Sequence, residues 1–450
     1  MTRRHVSRRL REWTESRASP LSSGLMFVTG FIVFILLVEH VWGMTGADAG
    51  TILPTATMWA HGVGACALVT PVESAVHPLS GPVYPLLDAF IQWVLRLGST
   101  VPFPSHLSAD HCLRAYDRVL TWASRVPLGN QELNVGLVAW PVLALGSLSV
   151  LRTTARSHTR WEWVLVWALA LSPGAFFAYT DYYHPEDVLA LGFFLACAGA
   201  FRREHYVTSG VLATLAVASQ QNVVLAVFVI GSLIPYGRAL GRALVGAAGA
   251  ATLIVVPLTL WSGPRVIPVT LFGTGLSDNP EWGTWMAQVH LSGSLALVLS
   301  RGGPLVATAV LVVWVHRRRP LGALGLLGAL EVAFSARLFF EENLWGYYSL
   351  GLLTCWTLAS VVKGRISSGA VVWTALLILN TGIDNGQLWI PLSIARHERV
   401  WWFQVLLLPL AVIVSVNDLR AGTREGGVTR SVNSLATEDA AHPPASRLYS

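Results

Sequence analysis

Nine residues, Tyr179-Thr180-Asp181-Tyr182-Tyr183-His184-Pro185-Glu186-Asp187, gather three carboxylates, one histidine and three tyrosines. The chain as a whole is only 12% charged, so this concentration is local. A histidine among acids can bind a divalent metal, orient a sugar through its hydroxyls, or exchange protons with a reacting group. Part of the pattern has a plainer cause. His184-Pro185-Glu186-Asp187 is a good helix start, with proline at the first helical position and acids in the first turn, where the helix dipole favours them. That accounts for Pro185, Glu186 and Asp187 and leaves Asp181, His184 and the tyrosines without a purely local reason.

Five other groups could do chemistry. Asp48, in Gly46-Ala47-Asp48-Ala49-Gly50, could be a general base toward a hydroxyl, or could cap a helix starting near Thr51. Arg337 precedes Glu341 by four residues and is followed by Tyr347-Tyr348. The pair could be a simple ion pair on one helical face, or the guanidinium could hold a phosphate through paired donors. Arg396, in Arg396-His397-Glu398-Arg399, is a second such arginine or an interfacial anchor. Gln220, Gln221 and Asn222 could line a cavity for a polar ligand or satisfy a broken helix. Glu331 is an acid inside an apolar segment, of the kind that serves proton relays. The sequence carries no GxxxxGK[ST], GxSxG, HExxH or paired CxxC.

The elements that must position these groups are membrane helices. Of 450 residues, 53% are hydrophobic, mean hydropathy is +0.54, and apolar runs of about 20 residues recur. This excludes an ordinary soluble domain and points to an all-α polytopic membrane protein. Spans are expected at roughly 25–43, 132–151, 161–179, 186–202, 242–261, 293–315, 320–339, 344–362, 368–384 and 400–417. The segment at about 208–235 is either one long span or two short helices turning at Ser219-Gln220-Gln221-Asn222.

Charge placement chooses between them. Six arginines precede the first span, so the N-terminus is expected in the cytoplasm as a signal anchor. Only a pair of half-helices keeps Arg152–Arg160, Arg202-Arg203, Arg238/Arg242, Arg317–Arg319 and Lys363/Arg365 all on the cytoplasmic side. The expected organisation is a basic N-terminus (1–23), a membrane domain (24–417) and a disordered cytoplasmic tail (418–450). The first outer loop, 44–131, would carry interfacial helices at Leu86–Leu97 and Leu113–Val126. Cys66 and Cys112 share that loop, and an oxidising exterior permits, without requiring, a disulfide between them.

The pattern resembles the GT-C superfamily of membrane glycosyltransferases, and within it is similar to the actinobacterial polyprenol-phosphate-mannose-dependent α-mannosyltransferases. The residues behind the resemblance are Asp48 early in the first outer loop, the stretch Thr51–Gly62, Gly81-Pro82-Val83-Tyr84-Pro85-Leu86, the His184–Asp187 helix start, and the half-helix pair. It departs from the pattern where Ile52 and Leu53 replace an aromatic and where Gln221-Asn222 replace a lysine. The resemblance implies a GT-C-like bundle of about 10 to 12 transmembrane segments in the plasma membrane, with both termini cytoplasmic and the active face outside. It implies Asp48 as the catalytic base; the residues' own chemistry makes Asp181, His184, Glu186, Asp187, Gln221, Arg337 and Tyr347 the expected substrate-binding set. The expected partners are a polyprenyl-phosphate sugar donor, mannose favoured over arabinose, a glycolipid or glycan acceptor, and membrane lipids, with no nucleic acid. No cofactor is required, and a divalent metal remains one use of the His184 cluster. The competing readings are a secondary transporter or lipid-linked-sugar flippase built on Glu331, and a non-catalytic relative.

Overall fold

The computed structural model describes residues 20–41, 56, 59–60, 81–95, 136–154, 158–180, 184–262, 284–291, 293–317, 321–341, 346–365, 371, 405, 408–409 and 411–422. Among these residues all regular structure is helical. Among the described residues, four helices are long and apolar enough to cross a membrane, within Leu21–Val38, Arg238–Leu260, Gly293–Arg317 and Ala323–Phe340.

The chain begins with α1 (Pro20–Val41) and the short α2 (Val83–Leu95). It continues through α3 (Ala139–Leu151), α4 (Thr159–Ala170), α5 (Pro173–Thr180), α6 (Pro185–Arg202) and α7 (Tyr206–Ser219). A 3-10 turn at Gln221–Val223 leads to α8 (Val224–Leu233) and α9 (Arg238–Ser262). Then come the single turn α10 (Trp285–Gln288), α11 (Gly293–Arg317), α12 (Ala323–Phe340), a 3-10 turn at Gly346–Ser349, and α13 (Leu350–Lys363). A last helical stretch covers 411–422.

Two breaks have local causes. The span expected at 161–179 is divided into α4 and α5 with a 40° bend, because Pro173 cannot donate to the preceding turn. The expected break at Ser219–Asn222 is present, and Gln220, in extended conformation, accepts the Gln221 N–H with its own side chain.

Contacts fix the helix directions. Ser22 meets Trp163 and Phe34 meets Tyr179, so α1 runs alongside α4 and α5 in their direction. Asp187 meets Asn222 and Cys197 meets Ser209, so α6 and α7 are antiparallel. α7 and α9 are parallel: Gly210 lies on Ala243, Thr214 on Ala247, and farther along Ala218 and Gln221 share a cavity with Ile254 and Leu258. Only residues 234–237 join α8 to α9, a reach of at most about 17 Å. The fourteen residues of α7 are about 21 Å long. The chain therefore turns back at the break, as the half-helix expectation requires.

The bundle has a buried centre and an apolar exterior. α6 and α12 are buried over most of their length, while α9 and α11 expose Leu253, Leu260, Val306 and Val310. Such faces suit hydrocarbon rather than water. Phe27, Phe31 and Phe34 of α1 gather around Trp140 and anchor α1 on α3. α3 and α6 approach as closely as backbones permit, with Gly146 against the Gly192 carbonyl, because neither glycine has a side chain to hold them apart.

One end of the bundle collects basic groups. There Arg152 pairs with Glu162, Arg203 holds the Ser149 carbonyl, Arg202 holds the Leu321 carbonyl, and Lys363 pairs with Asp418. The opposite end holds the start of α6, the Ser219–Asn222 break, the end of α12 and the turn at Gly346–Ser349. α1 also finishes there. The helix at 411–422 passes the expected domain boundary at 417, since Asp418 is paired with Lys363 and Gly422 packs on Gly325. A charged residue near a chain end reads as solvated in sequence, but here a partner 55 residues away keeps it in the fold.

Candidate functional site

α6 starts at Pro185 with His184 in the N-cap position, as its local sequence dictates. The helix-start account explains the residue types but not their surroundings. Glu186 is 0% exposed, His184 3% and Asp187 8%, so these are not solvated first-turn acids. His184 Nδ1 lies 2.6 Å from Glu186 Oε1 and 3.8 Å from Asp187 Oδ2. The His184 ring stacks on Tyr347 with centroids 4.2 Å apart, which fixes its plane. Asn222 Nδ2 donates to Asp187 Oδ1 at 2.5 Å, tying α6 to the half-helix break.

The second oxygens of the two acids are left over. Glu186 Oε2 and Asp187 Oδ2 are buried and have no hydrogen-bond partner among the described residues. Buried carboxylate oxygens without donors are costly, and in a functional site they commonly face a ligand.

Arg337 joins the same cluster from the last turn of α12. Its Nε pairs with Glu341 Oε2 at 3.2 Å, so the ion pair expected from their spacing does form. Its guanidinium also sits over Tyr348, with Cζ 5.0 Å from the ring centroid, and Tyr348 packs edge-on against Tyr347. A chain of contacts thus runs from Arg337 through Tyr348 and Tyr347 to His184. Residues from separate stretches of sequence converge here: His184, Glu186 and Asp187, then Asn222, then Arg337, Tyr347 and Tyr348.

Beside the break lies a cavity of about 440 Å³. It is bounded by Pro82, Val217, Gln221, Val224, Ile254 and Leu258 among others, and is almost wholly apolar. Gln221 and Thr214 are its polar residues. Gln221 is adjacent in sequence to Asn222, so the cavity and the polar cluster both border the half-helix break. The geometry suits a ligand with a hydrocarbon portion and a polar head.

The remaining candidates fall in different places. Asp48 and Asp181 lie outside the described residues, as do Arg396, Cys66 and Cys112. Tyr179 is fully buried and donates to the Gly136 carbonyl at 2.9 Å, so it is a packing residue joining α5 to the start of α3. Glu331 is fully buried on α12, six residues or about 9 Å below Arg337, beside Asp418 and Lys363 rather than in the His184 cluster.

The sequence reading missed Asp88. An interfacial helix at Leu86–Leu97 would place Asp88 toward water. In α2 the sense is reversed: Asp88 is 0% exposed and accepts from Gln92 at 2.9 Å, while Phe90, Trp93 and Val94 point outward. α2 packs its Leu86 and Ala89 on Ile254, Leu258 and Trp59. Burial pushes the Asp88 carboxyl up to about 7, with the Gln92 hydrogen bond opposing the shift. The clue in sequence was the spacing of Phe90, Trp93 and Val94, which puts aromatic and aliphatic side chains together on the face away from Asp88.

No known family model matches the chain, and no curated protein matches it.

Proposed function

We propose that this chain is an integral membrane glycosyltransferase of the plasma membrane. It moves a sugar, mannose favoured and arabinose as the alternative, from a polyprenyl-phosphate donor to a cell-envelope glycolipid or glycan on the outer face. Both termini lie in the cytoplasm, and the bundle has 10 to 12 spans. The observation that supports this reading is the junction at Asn222: a buried imidazole–carboxylate cluster on one side and an apolar cavity starting at Gln221 on the other. A lipid-linked sugar phosphate has this division, with its hydrocarbon in the cavity and its head at the cluster.

In the proposed reaction Asp48 takes the proton of the acceptor hydroxyl as its oxygen attacks the anomeric carbon. The bond from that carbon to the donor phosphate breaks, and polyprenyl phosphate leaves with the bonding pair. Arg337 stabilises the charge on the leaving phosphate. His184, with Asp181, Glu186 and Asp187, orients the sugar and phosphate, Tyr347 holds the imidazole, and Gln221 contacts the head group. Glu331, the residue a transporter reading needs, sits apart from this junction, beside Asp418 and Lys363.

The test is transfer by purified protein from radiolabelled polyprenyl-phosphate mannose or arabinose to envelope glycolipids. Wild type should form product, and Asp48→Asn should lose transfer by about 10²-fold or more. Substrate-dependent movement of the donor across the bilayer without a new glycosidic bond would overturn the reading in favour of a flippase.

A further inference from the structure

We infer that His184, Glu186 and Asp187 form a site for one divalent transition-metal cation, of the Mn²⁺ or Zn²⁺ type. One donor atom from each residue falls within 4.8 Å of the other two. Metal–ligand bonds of about 2.0–2.2 Å put neighbouring ligands about 3 Å apart and opposed ones a little over 4 Å, so the spacing accommodates an ion. His184 Nδ1 is the nitrogen facing both acids, at 2.6 and 3.8 Å, and is therefore the imidazole ligand.

A second observation points to a ligand independently of the spacing. Asp187 Oδ2 is buried without a hydrogen-bond partner among the described residues, although it lies 3.8 Å from His184 Nδ1. Glu186 Oε2 is in the same condition on a fully buried side chain. One imidazolium could neutralise only one of these carboxylates. Arg337 acts on Asp187 through its charge but makes its ion pair with Glu341. A divalent cation balances both acids at once, which removes the main cost of burying adjacent charges.

The surroundings are those of a built site. Asn222 fixes Asp187 through Oδ1 and leaves Oδ2 for the ion, and Tyr347 fixes the imidazole plane by stacking. A nitrogen with two carboxylates favours Mn²⁺ or Zn²⁺ over Ca²⁺, which takes oxygen ligands only and more of them. Three protein donors leave coordination positions open, as in reactive rather than structural sites. If the glycosyl-transfer reading above holds, those positions take phosphate oxygens of the donor.

The experiment uses the full chain in lipid nanodiscs, purified on a tag without histidines, stripped with chelator and titrated with Mn²⁺ and, separately, with Zn²⁺. One ion should bind per chain, and the pulsed-EPR spectrum of bound Mn²⁺ should show coupling to an imidazole nitrogen. Glu186→Gln and Asp187→Asn should each weaken binding by about tenfold or more. Absence of stoichiometric Mn²⁺ and Zn²⁺ binding by wild type would overturn the site, as would bound Mn²⁺ without nitrogen coupling or unchanged affinity in both variants. The two proposals fail separately. Metal binding without sugar transfer keeps the site and removes the transferase, and undiminished transfer by protein that binds no metal does the reverse.

Discussion

Asp88 makes the docking of α2 dependent on pH, with a sign and size that follow from its burial. Its carboxyl titrates near 3.8 when solvated and at about 7 in the fold. A folded-state value raised above the unfolded one means the group favours the folded state below pH 3.8, and that this contribution is lost as pH rises through about 7. The full shift is worth about 4 kcal/mol, of which about 3 kcal/mol is lost between about pH 5 and pH 8. The effect should appear as local release of α2, which is held to the bundle through Tyr84 in the main core and through Leu86 and Ala89 on α9. Hydrogen exchange of the α2 amides in nanodiscs, corrected for intrinsic rates, should lose about a hundredfold in protection over that range. Asp88→Asn keeps an oxygen to accept from Gln92 but cannot ionise, so its protection should be flat. A wild-type profile that stays flat, or an equal slope in Asp88→Asn, would refute the reasoning.

Two further perturbations test the packing. Adding a methyl group at Gly146 drives it into the Gly192 carbonyl, and the converse change at Gly192 places it 2.6 Å from the Leu143 amide nitrogen. Gly146→Ala should destabilise the α3–α6 pair by about 1–3 kcal/mol, read as a lower thermal midpoint in detergent. Lys363→Met leaves Asp418 buried without its cation and should cost about 3–5 kcal/mol, whereas Lys363→Met with Asp418→Leu should recover most of that loss. A double variant no more stable than the single one would show that the pair does not act as a unit.

What local sequence determined is visible in the punctuation. Pro185 after His184 starts α6, Pro173 bends the α4–α5 segment, and the polar run Ser219–Asn222 divides α7 from α8. Each depends on backbone donors and φ restrictions within a turn or two, so single-chain reading reaches it. The apolar runs of about 20 residues determined the helical class for a similar reason, because a helix pairs every backbone group within such a run where hydrocarbon offers no partner. The Arg337–Glu341 pair was also legible, being one helical turn long.

Only the tertiary structure decided which side chains share a site. Arg337 and Tyr347 reach His184 across about 150 residues of chain, and Asn222 reaches Asp187 across 35. Such meetings depend on helix directions, and the parallel course of α7 and α9 is a property of packing, not of periodicity. Burial was hidden for the same reason. Asp88, Glu186 and Asp418 look alike in sequence as acids near helix ends or polar faces, yet each is covered by elements distant in the chain. Whether an acid is solvated, paired or left with an open oxygen depends on its neighbours in space, and that difference separates a helix cap at Pro185–Asp187 from a candidate metal site.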